Sequence, residues 1–119
     1  MAEHNELGRK GEALAVEFLV SNGYEILARN WRYGRAEIDI LAQKNGFLVV
    51  VEVKTRTSDV YGKPEIFVNR KKIGLLMEAV NAFMEEKNLD LEVRFDIISI
   101  VSNRYGNRIE HIKNAFYWY

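Results

Sequence analysis

The chain has 119 residues, of which 17 are basic and 17 acidic, so that it carries no net charge, and 48% of them are hydrophobic. This size and composition suit one folded domain over residues 1–119 and argue against a strongly basic nucleic-acid binder. No apolar run approaches the roughly 20 residues that a membrane span needs, and the acidic, polar start is unlike a signal peptide. The absence of cysteine excludes disulfides and thiolate metal sites. We therefore expect a cytoplasmic protein without membrane association.

The first predicted element is a helix over residues 5–22, where apolar side chains recur at helical spacing. Asn5 can cap its start, and Gly23 can end it in the left-handed conformation. Glu12 lies at the border of the apolar stripe, a position where a carboxylate is more often solvated than functional. A first strand is predicted over residues 24–33.

The next two predicted strands form a hairpin around Asn45-Gly46. Asn-Gly between two apolar runs is the strongest short-range hairpin signal, because both central residues of a two-residue turn need positive φ. Such a turn pairs Lys44 with Phe47, and all facing residue numbers then sum to 91. One face of the hairpin is predicted to be wholly apolar, with Ile40 opposite Val51, Ile38 opposite Val53 and Ala42 opposite Val49. The other face receives Leu41 with Val50, Asp39 with Glu52 and Glu37 with Lys54.

The predicted pairing of Asp39 with Glu52 creates an electrostatic problem. Directly facing residues have Cβ atoms about 4.5–5.5 Å apart, and like charges at that distance are destabilising. A divalent cation held between the two carboxylates would resolve the repulsion, since hard cations bind carboxylate oxygens. The alternative is that Lys54 and nearby arginines neutralise the pair at a half-exposed sheet face.

Residues 55–67 are predicted to be a loop, because they contain Gly62 and Pro64, the only proline. Asn69 then caps a second predicted helix, which runs to about Lys87. The first turn of this helix carries three consecutive cations, Arg70, Lys71 and Lys72. Together with the free backbone N–H groups they would form an anion site; the alternative is a solvated basic turn beside Glu65.

A fourth strand is predicted over residues 91–101 and a short fifth over residues 108–112. The element order is therefore α-β-β-β-α-β-β. The first three strands can form an antiparallel meander, and the helix between the third and fourth strands permits a parallel crossover. The predicted fold class is α/β, a mixed sheet flanked by helices. The aromatic end of the chain, residues 115–119, is expected to dock onto the domain itself rather than onto a partner.

Charge is unevenly distributed along the chain. Residues 29–72 hold ten basic and five acidic side chains, whereas the remainder holds seven basic and twelve acidic ones. The two facing carboxylates therefore lie in the basic part, which would suit a negatively charged ligand bound together with a metal ion. Folding that mixes the two parts in space is the alternative.

An Asp on one strand followed by Glu-x-Lys on the next, as in Asp39, Glu52 and Lys54, resembles the PD-(D/E)XK nuclease motif. The element order resembles the restriction-endonuclease-like core, and Glu12 on the preceding helix fits the Holliday junction resolvase branch of that superfamily. The wider pattern is similar to the bacterial YraN family of uncharacterised nuclease-like proteins. The residues that carry this similarity are residues 8–12, 29–30, 37–39, 51–56, Gly62, Lys71 and residues 94–96. The chain departs from these patterns at Ile38, where the superfamily has proline, and at Ala36, where the family usually has glycine.

The resemblance implies metal-dependent hydrolysis of phosphodiester bonds with Mg²⁺ or Mn²⁺. Asp39 and Glu52 would be the metal ligands, with the backbone carbonyl of Val53 as a third and Glu12 as a further ligand or water-holding group. Lys54 would hold the attacking water or offset charge on the phosphoryl group. Few protein ligands are needed, because magnesium keeps several waters.

Three further cations, Arg56, Lys71 and Lys72, would hold backbone phosphates, and Glu37 would orient Lys54 through an ion pair. The leading hypothesis is a DNA endonuclease, structure-selective or nonspecific. A nucleic-acid binding module that keeps the fold without cleaving is the second hypothesis, and a protein-interaction domain using the aromatic end is the third. A homodimer is a hypothesis by analogy with resolvase-like enzymes.

Overall fold

A computed structural model describes residues 5–58 and 69–116 of the chain. The described residues form two helices and five strands, in the predicted order α-β-β-β-α-β-β. The elements are α1 (Glu6–Ser21), β1 (Glu25–Tyr33), β2 (Ala36–Lys44), β3 (Phe47–Arg56), α2 (Arg70–Lys87), β4 (Glu92–Asn103) and β5 (Gly106–Phe116). The predicted α/β class is confirmed.

The five strands form a single mixed sheet in the order β1-β2-β3-β4-β5. β3 and β4 are parallel, connected through α2, and the other neighbouring pairs are antiparallel. The helices lie on opposite faces of the sheet. α1 packs through residues such as Leu19 against Val49 and Val51, and α2 packs through residues such as Phe83 against Val50. β3 is therefore covered on both faces, which explains its nearly continuous apolar run.

Local sequence signals set the ends of both helices as predicted. Asn5 caps α1 by accepting a hydrogen bond from the Gly8 N–H at 2.8 Å, and Gly23 follows the helix with φ +87°. Asn69 caps α2 by accepting a hydrogen bond from the Lys72 N–H at 2.9 Å. Side-chain caps of this kind satisfy backbone donors that the helix itself leaves without a partner.

The β2–β3 hairpin has the predicted turn, with positive φ at both Asn45 (52°) and Gly46 (84°). The predicted pairs are confirmed from Lys44 with Phe47 to Ile40 with Val51. They end there. Asp39 with Glu52, Glu37 with Lys54 and Ile38 with Val53 are not among the paired residues, so the predicted continuation of the register is wrong.

The hairpin register fails because β2 becomes irregular at Asp39. Asp39 Oδ2 accepts a hydrogen bond from the Val53 N–H at 2.8 Å. If the β2–β3 pairing continued, this N–H would instead donate to a backbone carbonyl of β2. Ile38 consequently belongs to the core cluster under α2, whereas Ile40, two residues on, belongs to the cluster under α1. Residues two apart in a regular strand share a face, so the chain reverses its faces between these two positions.

Two further predictions need correction. β3 extends to Arg56, so the loop begins later than predicted, and its residues 59–68, with Gly62, Pro64 and Glu65, lie outside the described residues. β5 is longer than the predicted residues 108–112, because its pairing with β4 continues as far as Phe95 with Phe116. The two paired rings stack with centroids 5.0 Å apart, and residues 117–119 lie outside the described range. Neither helix of the described chain is long and apolar enough to cross a membrane.

Candidate functional site

Two carboxylates lie where β2 and β3 stop pairing. Asp39 lies where β2 becomes irregular, and Glu52 comes one residue after Val51, the last residue of β3 that pairs with β2. Glu52 retains only 8% of its surface exposed, and its charge acts directly on the carboxyl group of Asp39. The strand separation therefore brings together the two acidic side chains that the sequence suggested, although not as a directly facing pair.

The carboxylate of Glu52 has one strong partner. Lys72 Nζ, from the first turn of α2, lies 3.1 Å from Glu52 Oε1. Glu52 Oε2 is buried and accepts no hydrogen bond from the described residues. Burial raises the pKa of Glu52 above its ordinary value, and Lys72 opposes this rise. A buried carboxylate oxygen without a donor is an acceptor that a cation can satisfy.

The pKa of Asp39 is also raised. Burial and the neighbouring charge of Glu52 raise its pKa from the ordinary 3.8 to about 8, against the Val53 hydrogen bond, which lowers it. The charge of Glu12 adds to the rise and that of Lys72 opposes it. A carboxyl group with so high a pKa holds its proton at neutral pH unless a further positive charge arrives.

Glu12 is buried, with 6% of its surface exposed, so the expectation of a solvated carboxylate at the stripe edge is wrong. The close approach of α1 to β3 explains this burial. Gly11, next to Glu12, faces the side chain of Thr55 so closely that an added Cβ would lie 2.8 Å from Thr55 Cβ. Only glycine allows the helix to lie this near the strand, and the neighbouring Glu12 is held close enough to act on Asp39.

The remaining predicted site residues differ in position. Lys54 is exposed on β3, two residues after Glu52, and Val53 supplies its N–H to Asp39. Arg56 Nη2 lies 3.5 Å from Ser99 Oγ on β4. Lys71 is exposed on the first turn of α2, next to the Lys72 that pairs with Glu52.

Glu37 does not have the predicted strand partner. Its Cα partner is Arg32 on β1, and Glu37 Oε2 lies 3.5 Å from Arg32 Nε. Its negative charge also contributes to the raised pKa of Glu52, after burial and against Lys72. Glu37 therefore belongs to the surroundings of the carboxylate pair, and its orientation of Lys54 stays a prediction.

The donor set fits a hard divalent cation with few protein ligands. In residues 5–58 and 69–116, no three His, Cys, Asp or Glu side chains converge as a group able to hold a metal ion. Asp39 and Glu52 nevertheless offer two close carboxylates, one of them with a buried oxygen that lacks a donor. Mg²⁺ commonly binds one or two carboxylates and keeps water in its other positions.

A second buried charged network, centred on Asp96 of β4, was not found by sequence reasoning. Asp96 is fully buried. It accepts two hydrogen bonds from the Arg94 guanidinium, at 3.0 and 2.8 Å, and one from the Asn114 N–H at 3.1 Å. Its Oδ2 also lies 2.7 Å from His111 Nε2. Although burial raises it, the hydrogen bonds from His111 and Arg94 bring the pKa of Asp96 below its ordinary value. Both oxygens of Asp96 are in use, so this carboxylate stabilises the packing of β4 and β5.

Arg94 also donates a hydrogen bond to the hydroxyl of Tyr24 at 2.6 Å, which ties β4 to the chain after α1. The sequence signal was the charged pair Arg94 and Asp96 inside an otherwise apolar strand. Two residues apart, these side chains share one face of β4. Their partner His111 lies on β5, within the predicted residues 108–112, but the pairing of that strand with β4 was not predicted.

Comparison with known proteins assigns the chain to a family. The model described as "Uncharacterised protein family UPF0102" matches residues 11–100. The chain belongs to the UPF0102 family. A UPF0102 protein of Christiangramia forsetii is 54% identical over 119 residues, covering all of both chains. One from Flavobacterium psychrophilum is 55% identical over 117 residues, with 98% of each chain covered, and one from Bacteroides thetaiotaomicron is 49% identical over 117 residues, covering 98% of this chain and 97% of its own.

The range matched by the UPF0102 model begins inside α1 and ends within β4. It includes Glu12, Asp39, Glu52 and Lys54, together with the first turn of α2 that carries Lys72. It leaves out β5, the strand that supplies His111 to the Asp96 network. The candidate site is therefore built wholly from the part of the chain that the UPF0102 model describes.

Proposed function

We propose that this protein is a metal-dependent nuclease of the restriction-endonuclease-like type, which hydrolyses phosphodiester bonds in DNA. The observation that carries the proposal is the pair Asp39 and Glu52, a half-buried and a buried carboxylate with raised pKa values where the pairing of β2 with β3 ends. Two such groups next to each other cost the folded chain free energy, and a divalent cation would offset that cost. The resemblance of Asp39, Glu52 and Lys54 to the PD-(D/E)XK motif supports the same conclusion.

In this proposal Asp39 and Glu52 hold Mg²⁺ or Mn²⁺, with the Val53 carbonyl and Glu12 as additional ligands or water-holding groups. The bound ion would supply Lewis-acid polarisation of the phosphate and a water of lowered pKa. Lys54 is two residues from Glu52 on the same strand and exposed, and it would orient the attacking water or stabilise negative charge on the phosphoryl oxygens.

The cations around the carboxylates would position the nucleic-acid backbone. Arg56 continues β3 beyond Lys54, and Lys71 is exposed at the start of α2. Lys72 forms an ion pair with Glu52 in the described structure. It would instead contact a phosphate once the carboxylates bind a metal ion. Phosphate contacts of this kind set position without reading sequence.

The test measures cleavage of branched, single-stranded and linear duplex DNA in the presence of Mg²⁺ or Mn²⁺. We expect the wild-type protein to cut at least one of these substrates, and Asp39→Asn and Lys54→Ala to lose about 100-fold or more of the rate. Asp90→Asn, which changes an exposed carboxylate in the loop after α2, is the matched control and should retain full activity. Activity that persists in Asp39→Asn and Lys54→Ala would refute the assignment.

The second candidate function is a nucleic-acid binding module that does not cleave. The ion pair between Lys72 and Glu52 favours it, because a lysine already compensates one carboxylate without any metal ion. Isothermal titration with Mn²⁺ separates the two candidates. The nuclease requires Mn²⁺ binding that Asp39→Asn abolishes, whereas the module predicts DNA binding that a chelator leaves unchanged and no turnover.

A further inference from the structure

One exposed aromatic side chain stands out at the turn between β1 and β2. Among the large hydrophobic side chains of the described residues, Tyr33 is one of three that are exposed, at 50%, together with Val20 and Tyr105. Its ring is parallel to that of Trp31, with an interplanar angle of 3° and centroids 6.2 Å apart. Trp31 in turn packs edge-to-face on Phe83 of α2, with centroids 5.3 Å apart.

This arrangement fixes the orientation of the Tyr33 ring. Trp31 is half-buried and anchored in the core beneath α2, and Tyr33 stacks on it. One face of the Tyr33 ring is thus directed at Trp31, and the exposed half of the side chain is available to a ligand. A rigid aromatic ring with an open face can stack on a planar group at little cost in side-chain entropy.

An exposed cation next to Tyr33 favours a negatively charged chain. Arg35, in the turn between Tyr33 and Ala36, is exposed. Arg32 and Arg29 lie on the opposite face of the sheet: Arg32 neighbours Tyr33 in β1 and forms an ion pair with Glu37, and Arg29 pairs with Ile40, which packs under α1. An arginine beside an exposed aromatic ring can contact a phosphate while a base stacks on the ring.

The position of Tyr33 relates this surface to the carboxylate pair. Tyr33 pairs with Ala36 across the β1–β2 turn, and Ala36 precedes Asp39 by three residues, which is about 10 Å along a strand. Stacked nucleotides rise about 3.4 Å each, so this separation corresponds to about three nucleotides.

We propose that Tyr33, backed by Trp31 and next to the exposed Arg35 of the β1–β2 turn, is a stacking site for an unpaired base of a nucleic-acid strand whose phosphodiester backbone reaches Asp39 and Glu52. The bases of a duplex already stack on each other and present only their edges, so a flat exposed ring discriminates in favour of single-stranded segments. This inference rests on the proposed function, and it specifies the substrate class as nucleic acid with unpaired nucleotides beside the scissile bond.

The test measures binding separately from cleavage. Fluorescence anisotropy with EDTA present compares a labelled single strand of about 12 nucleotides with the same strand annealed to its complement, in DNA and RNA versions. We expect Tyr33→Leu to weaken single-strand binding about 5- to 20-fold, since a stacked base contributes that order of affinity. Tyr33→Phe, which keeps the ring, should stay within about twofold of wild type, and duplex binding should change little in either variant.

Val20→Ala is the control for loss of an exposed apolar side chain, because Val20 lies near the end of α1, away from the β1–β2 turn. The stacking site is refuted if Tyr33→Leu binds the single strand as wild type does, if it weakens duplex binding equally, or if the wild-type protein binds no single strand. Cleavage with Mn²⁺, measured in parallel on Asp39→Asn, reports on the proposed function. Ring-dependent binding without any cleavage by the wild-type protein would overturn the nuclease proposal and leave the stacking site standing.

Discussion

Asp39→Asn should make the protein more stable at neutral and alkaline pH when no divalent cation is present. The side chain keeps its shape, and the amide oxygen can still accept the hydrogen bond that Asp39 takes from the Val53 N–H. What the substitution removes is a carboxyl group that burial and the charge of Glu52 make costly to ionise. A residue that weakens the fold while serving the site would be typical of a functional position.

The size of the effect follows from the pKa shift. The pKa of Asp39 is raised from 3.8 to about 8, and in the unfolded chain the group ionises near its ordinary value. Between these two values the folded state binds one more proton than the unfolded state, so the free energy of unfolding decreases as pH rises and becomes level above about pH 8. At about 1.36 kcal/mol per pKa unit the upper limit is between about 5 and 6 kcal/mol. Asp39 is half-buried, so solvent screening reduces this, and we expect about 2–3 kcal/mol at pH 8.

Urea unfolding at several pH values from 4 to 8, with EDTA present, measures this difference. The stability gain of Asp39→Asn over wild type should be near zero at the acid end and should grow with pH. Titrating groups away from the site, such as those of the Asp96 network, are common to both proteins and cancel in the comparison. Glu52 does not cancel, because its charge interacts with that of Asp39, and relief of this repulsion adds to the gain at high pH. Asp90→Asn, which changes an exposed carboxylate, should show no such trend. The reasoning fails if the difference between Asp39→Asn and wild type is constant with pH, or if the variant becomes relatively less stable as pH rises.

Three other substitutions probe separate parts of the structure. Gly11→Ala would bring a Cβ to 2.9 Å from Thr55 Cγ2, so urea unfolding should show that the free energy of unfolding decreases by about 1–3 kcal/mol. Adding Thr55→Ala should recover part of this loss. A Gly11→Ala variant as stable as wild type would contradict the close approach of α1 to β3. Asp96→Asn leaves the partly buried guanidinium of Arg94 without its carboxylate and should cost about 3–5 kcal/mol at pH 7. A loss below about 1 kcal/mol would show that the network is not stabilising. Lys72→Met removes the cation that competes with a metal ion for Glu52. Calorimetry should therefore find that the variant binds Mn²⁺ about two- to fivefold more tightly than wild type. Weaker Mn²⁺ binding would instead make Lys72 a supporting group of the metal site.

Local signals in the sequence account for much of the fold. Asn45-Gly46 predicts the hairpin turn, and that turn determines the register of the neighbouring pairs as far as Ile40 with Val51. Asn5 and Asn69 mark the starts of both helices because their side chains bond backbone donors three residues on. Each of these features depends on residues close together in the chain, where turn and cap geometry leave few alternatives.

The candidate site depended on contacts that the sequence does not express locally. The separation of β2 and β3 arises because one side chain, Asp39, takes a backbone donor of the opposite strand. The burial of Glu12 follows from the approach of α1 to β3 at Gly11, and the ion pair of Lys72 with Glu52 follows from the way α2 packs over the sheet.

The sequence by itself determined which acidic and basic residues are available, and on which strands and helices they lie. The tertiary structure alone decided how those residues meet, because the meeting depends on helices and strands from distant parts of the chain. The sequence suggested an electrostatic conflict between two residues paired across a regular hairpin. The folded chain has that conflict in another form. A half-buried and a buried carboxylate lie at a break in the hairpin, Asp39 bound by a backbone N–H and Glu52 by a lysine of α2.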